Sequence, residues 1–262
     1  MKQSQSPPPP GPWPVHAPGY GSHREQFGQL RVPAAGSPPV PVVILLHGGF
    51  WRSRWTLDLM EPLAADLERR GTASWNVEYR RADRHGWDAT TADVDTAVRY
   101  LARLARQFPI DLARVALVGH SAGGQLAARV AADLLTDAAA VHPAAVVSLA
   151  GILDLIEAQR RDLGDGAVAA ALGGDPATLP QVYAAASPLL RLPLAIPQII
   201  VTARDDNPGI NDLSSRYAAA AQAAGDNVTV IEGDGDHFTL IDPGSRIWAD
   251  ACAQMLDSLR TS

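Results

Sequence analysis

The residue with the clearest chemical potential is Ser121, in the segment G-H-S-A-G at positions 119–123. This segment matches the G-x-S-x-G pattern, in which a serine lies on a sharp strand-to-helix turn and presents its hydroxyl for nucleophilic attack. An apolar β-type run at 115–118 precedes the turn, and an alanine-rich helical stretch at 125–135 follows it. The strand-turn-helix context is therefore present, and we predict that Ser121 is a catalytic nucleophile.

A base and an acid for this serine are found further along the chain. A serine hydroxyl is a weak nucleophile at neutral pH and needs a base, which an acid must orient. With this type of turn, the acid and then the histidine follow the serine, each after a strand. His237 follows a predicted strand at 227–232 and is the predicted base. Asp205 and Asp206 both follow a predicted strand at 198–202; Asp205 is the predicted acid, and Asp206 is the alternative.

Acyl transfer also needs hydrogen-bond donors for the oxyanion, and backbone amides commonly supply them. The sequence H-G-G-F-W follows the apolar β-type run Val40–Leu46, and its paired glycines let the backbone approach a substrate closely. We predict the amides of Gly49, Phe50 and Ala122 as oxyanion donors. Trp51 is either a wall of the substrate pocket or a packing residue, and the sequence leaves both interpretations open.

Predicted strands and helices alternate along the chain, which indicates a mostly parallel sheet with helices on both faces. The carboxyl ends of parallel strands lie at one edge of such a sheet, so the candidate residues can meet there. Helices are predicted at 58–70, 91–108, 125–135 and 211–224, with a last one opening at Asp242-Pro243, and residues 80–87 are predicted as a polar turn.

The domain organisation follows from composition. Residues 1–19 include the proline run 7–10 and are predicted to form an extended, partly disordered leader. Residues 20–262 show no internal repeat and are predicted to form a single domain. Within it, residues 151–193 contain no clear strand and several glycines and prolines, which predicts an excursion over the active site that holds much of the substrate pocket.

Composition also argues against several classes of protein. The 262 residues are 47% hydrophobic with a net charge of −6, which disfavours a nucleic-acid partner, and no apolar run is long enough to span a membrane. The single cysteine, Cys252, cannot form an intrachain disulfide. The N-terminus lacks the layout of a signal peptide, so we predict a cytoplasmic protein. Asp234 and Asp236 lack the further carboxylates of a metal loop, so neither a metal nor a cofactor is predicted.

These motifs resemble those of the α/β-hydrolase superfamily, and within it the kynurenine formamidase-like and small carboxylesterase branch. The resemblance rests on H-G-G-x-W at 47–51 and G-x-S-A-G-G at 119–124, with Tyr20-Gly21 and Glu78-Tyr79-Arg80 as further points. It implies an α/β-hydrolase fold over about residues 20–260. The branch commonly has His-Gly-x-x-Asp-x-x-Val-Pro around its acid, whereas this chain has V-T-A-R-D-D-N-P at 201–208. That departure makes the acid the least determined member of the triad.

The sequence therefore predicts a metal-free serine hydrolase for small carboxylic esters or activated amides, working through an acyl-serine intermediate. The alternatives are a kynurenine formamidase acting on N-formylkynurenine, an aminopeptidase-like hydrolase, and a catalytically silent binding module with the same fold. The natural substrate and the oligomeric state are left open by the sequence.

Overall fold

Eight strands form one mixed sheet in the residues that the structure, a computed structural model, describes: 12–135 and 141–260. They are β1 (Val15–His16), β2 (Gly28–Arg31), β3 (Val40–Leu46), β4 (Ala73–Val77), β5 (Ile110–His120), β6 (Ala145–Leu149), β7 (Gln198–Ala203) and β8 (Val228–Gly233). Neighbouring strands follow the order β1-β2-β4-β3-β5-β6-β7-β8. The pairs β1–β2 and β2–β4 are antiparallel, and the remaining pairs are parallel. The predicted, mostly parallel sheet is thereby confirmed.

Nine helices connect these strands within the same described ranges. They are α1 (Glu61–Arg69), α2 (Ala82–His85), α3 (Trp87–Leu104), α4 (Ala122–Leu135), α5 (Leu155–Arg160), α6 (Ala167–Leu172), α7 (Pro180–Ala186), α8 (Pro208–Ala223) and α9 (Arg246–Ser258). Short 3₁₀ turns occur at Leu57–Met60, Pro188–Arg191 and Thr239–Ile241. In the part of the chain that is described, none of the helices combines the length and the apolar character that crossing a membrane requires.

The core is centred on β3. Every side chain from Val42 to Leu46 is fully buried, and successive strand residues point to opposite faces, so helices or loops cover both faces of the sheet here. The parallel partners β4 and β5 flank β3, and Leu46 lies opposite Gly119 in the register with β5. The loop after β3 and the turn after β5 consequently begin side by side.

Two helix starts differ from the predictions. Residues 80–87 are not simply a polar turn: they contain the short helix α2, and α3 begins at Trp87 rather than at residue 91, with the Trp87 side chain buried. The last helix begins at Arg246 instead of after Asp242. The Asp242 carboxylate accepts from the Gly244 amide in a local turn, whereas the Ser245 hydroxyl caps the helix by accepting from the Trp248 amide.

The two irregular segments also acquire structure. Of the predicted leader, residues 1–11 lie outside the described residues, while Val15–His16 pairs with β2 as an edge strand. The segment 151–193 contains no strand, as predicted, but it folds into α5, α6 and α7. One guanidinium nitrogen of Arg52 donates to the Gly164 carbonyl over 2.7 Å, so this segment contacts the loop that follows β3.

Helix α4 approaches the sheet closely enough to exclude side chains. A Cβ added to Gly123 would lie 2.1 Å from the Leu46 carbonyl oxygen, and one added to Gly119 would lie 2.0 Å from the Gly123 carbonyl oxygen. Both neighbours are backbone atoms, which cannot move without displacing β3 or α4. The glycines of the G-x-S-x-G motif are therefore required by backbone contact.

We predict that Gly123→Ala lowers the free energy of unfolding by about 3 kcal/mol or more, because overpacking against backbone cannot be relieved by a rotamer change. Thermal and urea unfolding followed by circular dichroism would measure this. Gly19→Ala is the matched control, since a Cβ there meets its nearest atom at 3.5 Å, an ordinary contact. Equal stability of the two variants would contradict the prediction.

Candidate active site

Ser121 lies on the turn between β5 and α4 in a strained conformation. Its φ angle is 55°, a left-handed value that non-glycine residues rarely adopt. The Ser121 amide donates to the Leu149 carbonyl over 2.8 Å, and the Gly124 amide donates to the Ser121 carbonyl over 2.9 Å. Hydrogen bonds on both sides thus hold the strained turn, as the motif predicts for a nucleophile.

The acid that contacts His237 is Asp206. Its Oδ2 lies 2.7 Å from Nδ1 of His237, and its side chain is only 4% exposed. The prediction that selects Asp205 is wrong for this contact. Strand β7 extends to Ala203, one residue further than predicted, and the Asp206 amide then donates back to the Ala203 carbonyl in a tight turn. This turn directs Asp206 inward and leaves Asp205 exposed, with its amide donating to the Gly235 carbonyl.

His237 and Ser121 both line a cavity of about 210 Å³. The remaining lining residues come from the loop after β3 and the 3₁₀ turn at its end, from the end of β5 and from the segment after β8: Gly49, Phe50, Arg54, Trp55, Leu59, His120 and Phe238. None of the residues lining this cavity in the described chain belongs to 151–193. The expectation that the excursion holds much of the pocket is therefore wrong for this cavity. The excursion contacts the loop after β3 instead, since Gly164 accepts the hydrogen bond from Arg52.

The loop after β3 lies directly against the nucleophile turn. A Cβ on Gly48 would be 2.7 Å from the His120 carbonyl oxygen and 2.9 Å from the Ser121 Cβ. The next residues take left-handed angles, with φ of 113° at Gly49 and 50° at Phe50. Among the described residues, no acceptor receives a hydrogen bond from either of these two amides. They are therefore free to bind an oxygen in the cavity that both residues line.

The two tryptophans of this loop have different surroundings. Trp51 is 1% exposed, donates from its indole nitrogen to the Gln125 side chain over 3.1 Å, and packs edge-on against Trp87 at 5.7 Å. It is absent from the cavity lining, so its assignment as a substrate-binding residue is corrected to core packing. Trp55 lines the cavity.

A buried carboxylate, Glu78, anchors the same loop, and sequence reasoning gave it no role. One carboxylate oxygen accepts from His47 over 3.2 Å, and the other accepts from the Leu57 amide over 3.1 Å, so Glu78 holds both ends of the loop. Arg81 also pairs with it. The Tyr79 hydroxyl donates to the His47 carbonyl over 2.8 Å, and the two rings stack at 4.3 Å. An acidic residue directly after a fully buried strand was the signal that could have identified it.

The pKa of Glu78 reflects two opposed effects. Burial raises the pKa, but the hydrogen bond and charge of His47, with the charge of Arg81 and the Leu57 amide, outweigh burial and place the pKa below its ordinary value of 4.5. The carboxylate is therefore the favoured form at neutral pH. The loop after β3 depends on that charge.

His120, the residue before the nucleophile, supports the base. Its Nε2 donates to the His237 carbonyl over 3.0 Å, and the two rings lie 4.5 Å apart. Burial, together with the neighbouring His237 charge, lowers the pKa of His120 to about 3, so the imidazole is neutral at physiological pH. A hydrogen bond from a neutral ring thus links the nucleophile turn to the loop that carries His237.

A mostly parallel sheet with a serine at a strand-to-helix turn, and a histidine and an acid after later strands, defines an α/β-hydrolase of the esterase type. Comparison with known proteins agrees with this class. Residues 29–217 match the family described as BD-FAE, which is more than half of the chain. The chain belongs to the BD-FAE family, and the predicted resemblance to the α/β-hydrolases is confirmed.

Hydrolases are among its relatives, and solved esterase structures share its fold. The chain is 26% identical over 230 residues to the kynurenine formamidase of Danio rerio, covering 85% of this chain and 74% of that protein. It is 37% identical over 106 residues to carboxylesterase NlhH of Mycobacterium tuberculosis, a match that covers 38% of this chain and 33% of that protein. Esterase B from Lactobacillus Rhamnosis superposes with a TM-score of 0.80 at 20% identity, covering 95% of this chain and 85% of that one. A truncated carbohydrate esterase from gut microbiota gives 0.81 at 19% identity, covering 93% and 95%.

We predict that Glu78→Gln destabilises the fold at neutral pH by about 1–3 kcal/mol, because the loop loses a charged acceptor whose partners stay buried. The folded-state pKa of Glu78 is depressed, so its stabilising contribution is present above the ordinary pKa and is lost as the pH falls through the folded value. The difference between wild type and variant should therefore shrink below pH 4.5.

Urea unfolding of both proteins between pH 7 and about pH 3.5 would measure this difference. Glu232→Gln, on an exposed part of β8, is the control and should change stability by no more than about 0.5 kcal/mol. A Glu78→Gln effect that stays constant with pH would show that the charge is not what anchors the loop.

Proposed function

We propose that the protein is a serine esterase in which Ser121, His237 and Asp206 form the catalytic triad. The observation that carries this proposal is the buried Asp206 carboxylate, 2.7 Å from Nδ1 of a histidine that shares a cavity with a serine on a strained strand-to-helix turn. An aspartate in this position fixes the imidazole tautomer and stabilises the imidazolium that forms during reaction.

The proposed mechanism follows from which nitrogen of the His237 ring contacts Asp206. Because Nδ1 of His237 donates to Asp206, Nε2 is the nitrogen that takes the Ser121 proton as Oγ attacks the substrate carbonyl carbon. The tetrahedral intermediate then collapses, His237 returns the proton to the departing alkoxide, and an acyl-serine remains. Water, deprotonated by His237, attacks the acyl carbon; the acid leaves and Ser121 regains its proton.

The oxyanion would be held by backbone amides. The left-handed angles at Gly49 and Phe50, and the close approach of this loop to Ser121, support these two amides as donors. The third would be the amide of Ala122, the first residue of α4, where peptide dipoles favour negative charge.

Small carboxylic esters are the proposed substrates, because a cavity of about 210 Å³ with mostly apolar lining suits a short acyl or alcohol group. A second candidate is the formamide of N-formylkynurenine. It is favoured by the similarity to the Danio rerio kynurenine formamidase, which extends over most of the chain. Both reactions would use the same triad; they differ in the acyl group, which is formyl in the formamide, and in the leaving group, which is an alcohol or an aromatic amine.

Hydrolysis of para-nitrophenyl acetate and of N-formylkynurenine would test the proposal. We expect Ser121→Ala to lower kcat by at least about 10⁴-fold on whichever substrate the wild type accepts, since the variant cannot form the acyl-enzyme. A fluorophosphonate probe should label the wild type and not the variant. Retained activity in Ser121→Ala, or a wild type that neither hydrolyses nor labels, would refute the serine esterase and favour a silent binding module.

The two adjacent aspartates provide a matched pair for testing the acid. Asp206→Asn should lower kcat by about 10³- to 10⁴-fold, because the amide favours the wrong imidazole tautomer. Asp205→Asn, one residue away and exposed, should stay within about twofold of wild type. Steady-state kinetics of both variants with para-nitrophenyl acetate would decide, and the reverse order of effects would return the role to Asp205.

A further inference from the structure

Arg54 places an unpaired positive charge at the cavity that contains Ser121. Its side chain lines the cavity and is exposed, and its guanidinium lies 5.3 Å from the centre of the Trp55 ring. Within the described part of the chain, no carboxylate lies within ion-pair distance of it. Most other arginines there contact a carboxylate, as Arg31, Arg80 and Arg161 do.

The polar groups next to Arg54 are committed to other contacts. Arg52 donates to the Gly164 carbonyl, and the Asp83 carboxylate accepts from the amide and hydroxyl of Ser53 over 2.8 and 2.9 Å. The Asp58 carboxylate accepts from the Thr56 hydroxyl over 2.9 Å. Asp83, which belongs to α2, and Asp58 thus each contact a neutral group, and neither forms an ion pair with Arg54.

No carboxylate among the described residues lines the cavity, so the Arg54 charge is not balanced there. The two histidines that line the cavity do not change this: His120 is neutral because burial lowers its pKa to about 3, and His237 is paired with Asp206. Phe50, Trp55, Leu59 and Phe238 supply apolar surface. A guanidinium beside aromatic rings at the rim of an apolar cavity suits a small organic molecule that has an apolar body and an anionic end.

We propose that Arg54 is a specificity-determining residue that favours esters carrying a carboxylate. The guanidinium would bind the carboxylate through two parallel hydrogen bonds, with Trp55 holding the guanidinium plane. This inference rests on the proposed esterase function and goes beyond it by naming the substrate class. Because Arg54 is exposed, solvent screens the interaction, and we expect about a three- to tenfold effect rather than an absolute requirement.

The test uses two pairs of chromogenic esters with charged and neutral members. The first pair places the charge on the acyl side: para-nitrophenyl hydrogen adipate against para-nitrophenyl hexanoate. The second places it on the leaving group: the acetate of a carboxylated nitrophenol against para-nitrophenyl acetate. The measured quantity is the ratio of kcat/KM for the charged ester to that for its neutral partner. It is determined for the wild type, Arg54→Gln, Arg54→Lys and the exposed control Arg84→Gln.

In at least one pair, Arg54→Gln should lower the ratio about three- to tenfold, mainly through KM, since a charge remote from the reacting carbonyl contributes uniform binding. Arg54→Lys should retain part of the ratio, and Arg84→Gln should leave it unchanged. Raising the salt concentration to about 0.5 M should reduce the wild-type ratio, because ions screen an exposed pair.

Ratios that agree within twofold among all four proteins, in both pairs, would overturn the assignment of Arg54. Failure of the esterase function itself would look different: the wild type would hydrolyse none of the four esters, or Ser121→Ala would hydrolyse them as fast as the wild type. The two outcomes are thus separable in one set of assays.

Discussion

The charge on Glu78 is the constraint on which the active-site face depends. A carboxylate that is almost fully buried is tolerated only where charges and hydrogen bonds compensate its lost hydration. His47, Arg81 and the Leu57 amide provide that compensation, and two of these partners are the ends of the loop after β3. That loop carries two of the three proposed oxyanion amides, those of Gly49 and Phe50, as well as Trp55 and Arg54. One ion cluster at the end of β4 therefore holds the part of the site that would meet the substrate.

The opposite side of the site is held by different means. The tight turn after β7 presents Asp206, the segment after β8 presents His237, and His120 joins that segment to the nucleophile turn by one hydrogen bond. Ser121 lies between the two sides at the end of β5, where α4 approaches the sheet so closely that Gly119 and Gly123 have no room for a Cβ. The site thus combines a rigid centre with two flanking loops, each fixed to the sheet by its own polar contacts.

Sequence reasoning succeeded where local pattern and geometry coincide. The bounds of β3 follow from its uninterrupted apolar run, and the motif and the chain order place Ser121 and His237 at the one cavity that both line. The sequence-based assignment of the acid failed because a shift of one residue decides it. Strand β7 is one residue longer than its apolar run suggests, and the Asp206 amide donates to the Ala203 carbonyl. As a result Asp206, and not Asp205, faces His237. Sequence reasoning also missed contacts between distant segments. No local pattern indicates that Trp51 packs against Trp87, and the position of Glu78 after a buried strand does not indicate that His47 and Leu57 are its partners.

Most of the cavity wall comes from one short part of the chain, and substitutions there can alter which substrate the protein prefers. Apart from Ser121, His237 and their neighbours His120 and Phe238, the walls come from the single stretch between Gly49 and Leu59, not from the helical excursion. Glu78 attaches this loop to the scaffold through His47 and Leu57, so the less buried residues between them, such as Arg54 and Trp55, can vary without disturbing the sheet, whereas Trp51 is part of the core. Most side chains that would contact the substrate and the proposed triad thereby lie in different parts of the chain, although the proposed oxyanion amides of Gly49 and Phe50 belong to the loop. A few substitutions in one short surface loop could redirect this hydrolase to new substrates while its reaction stays the same.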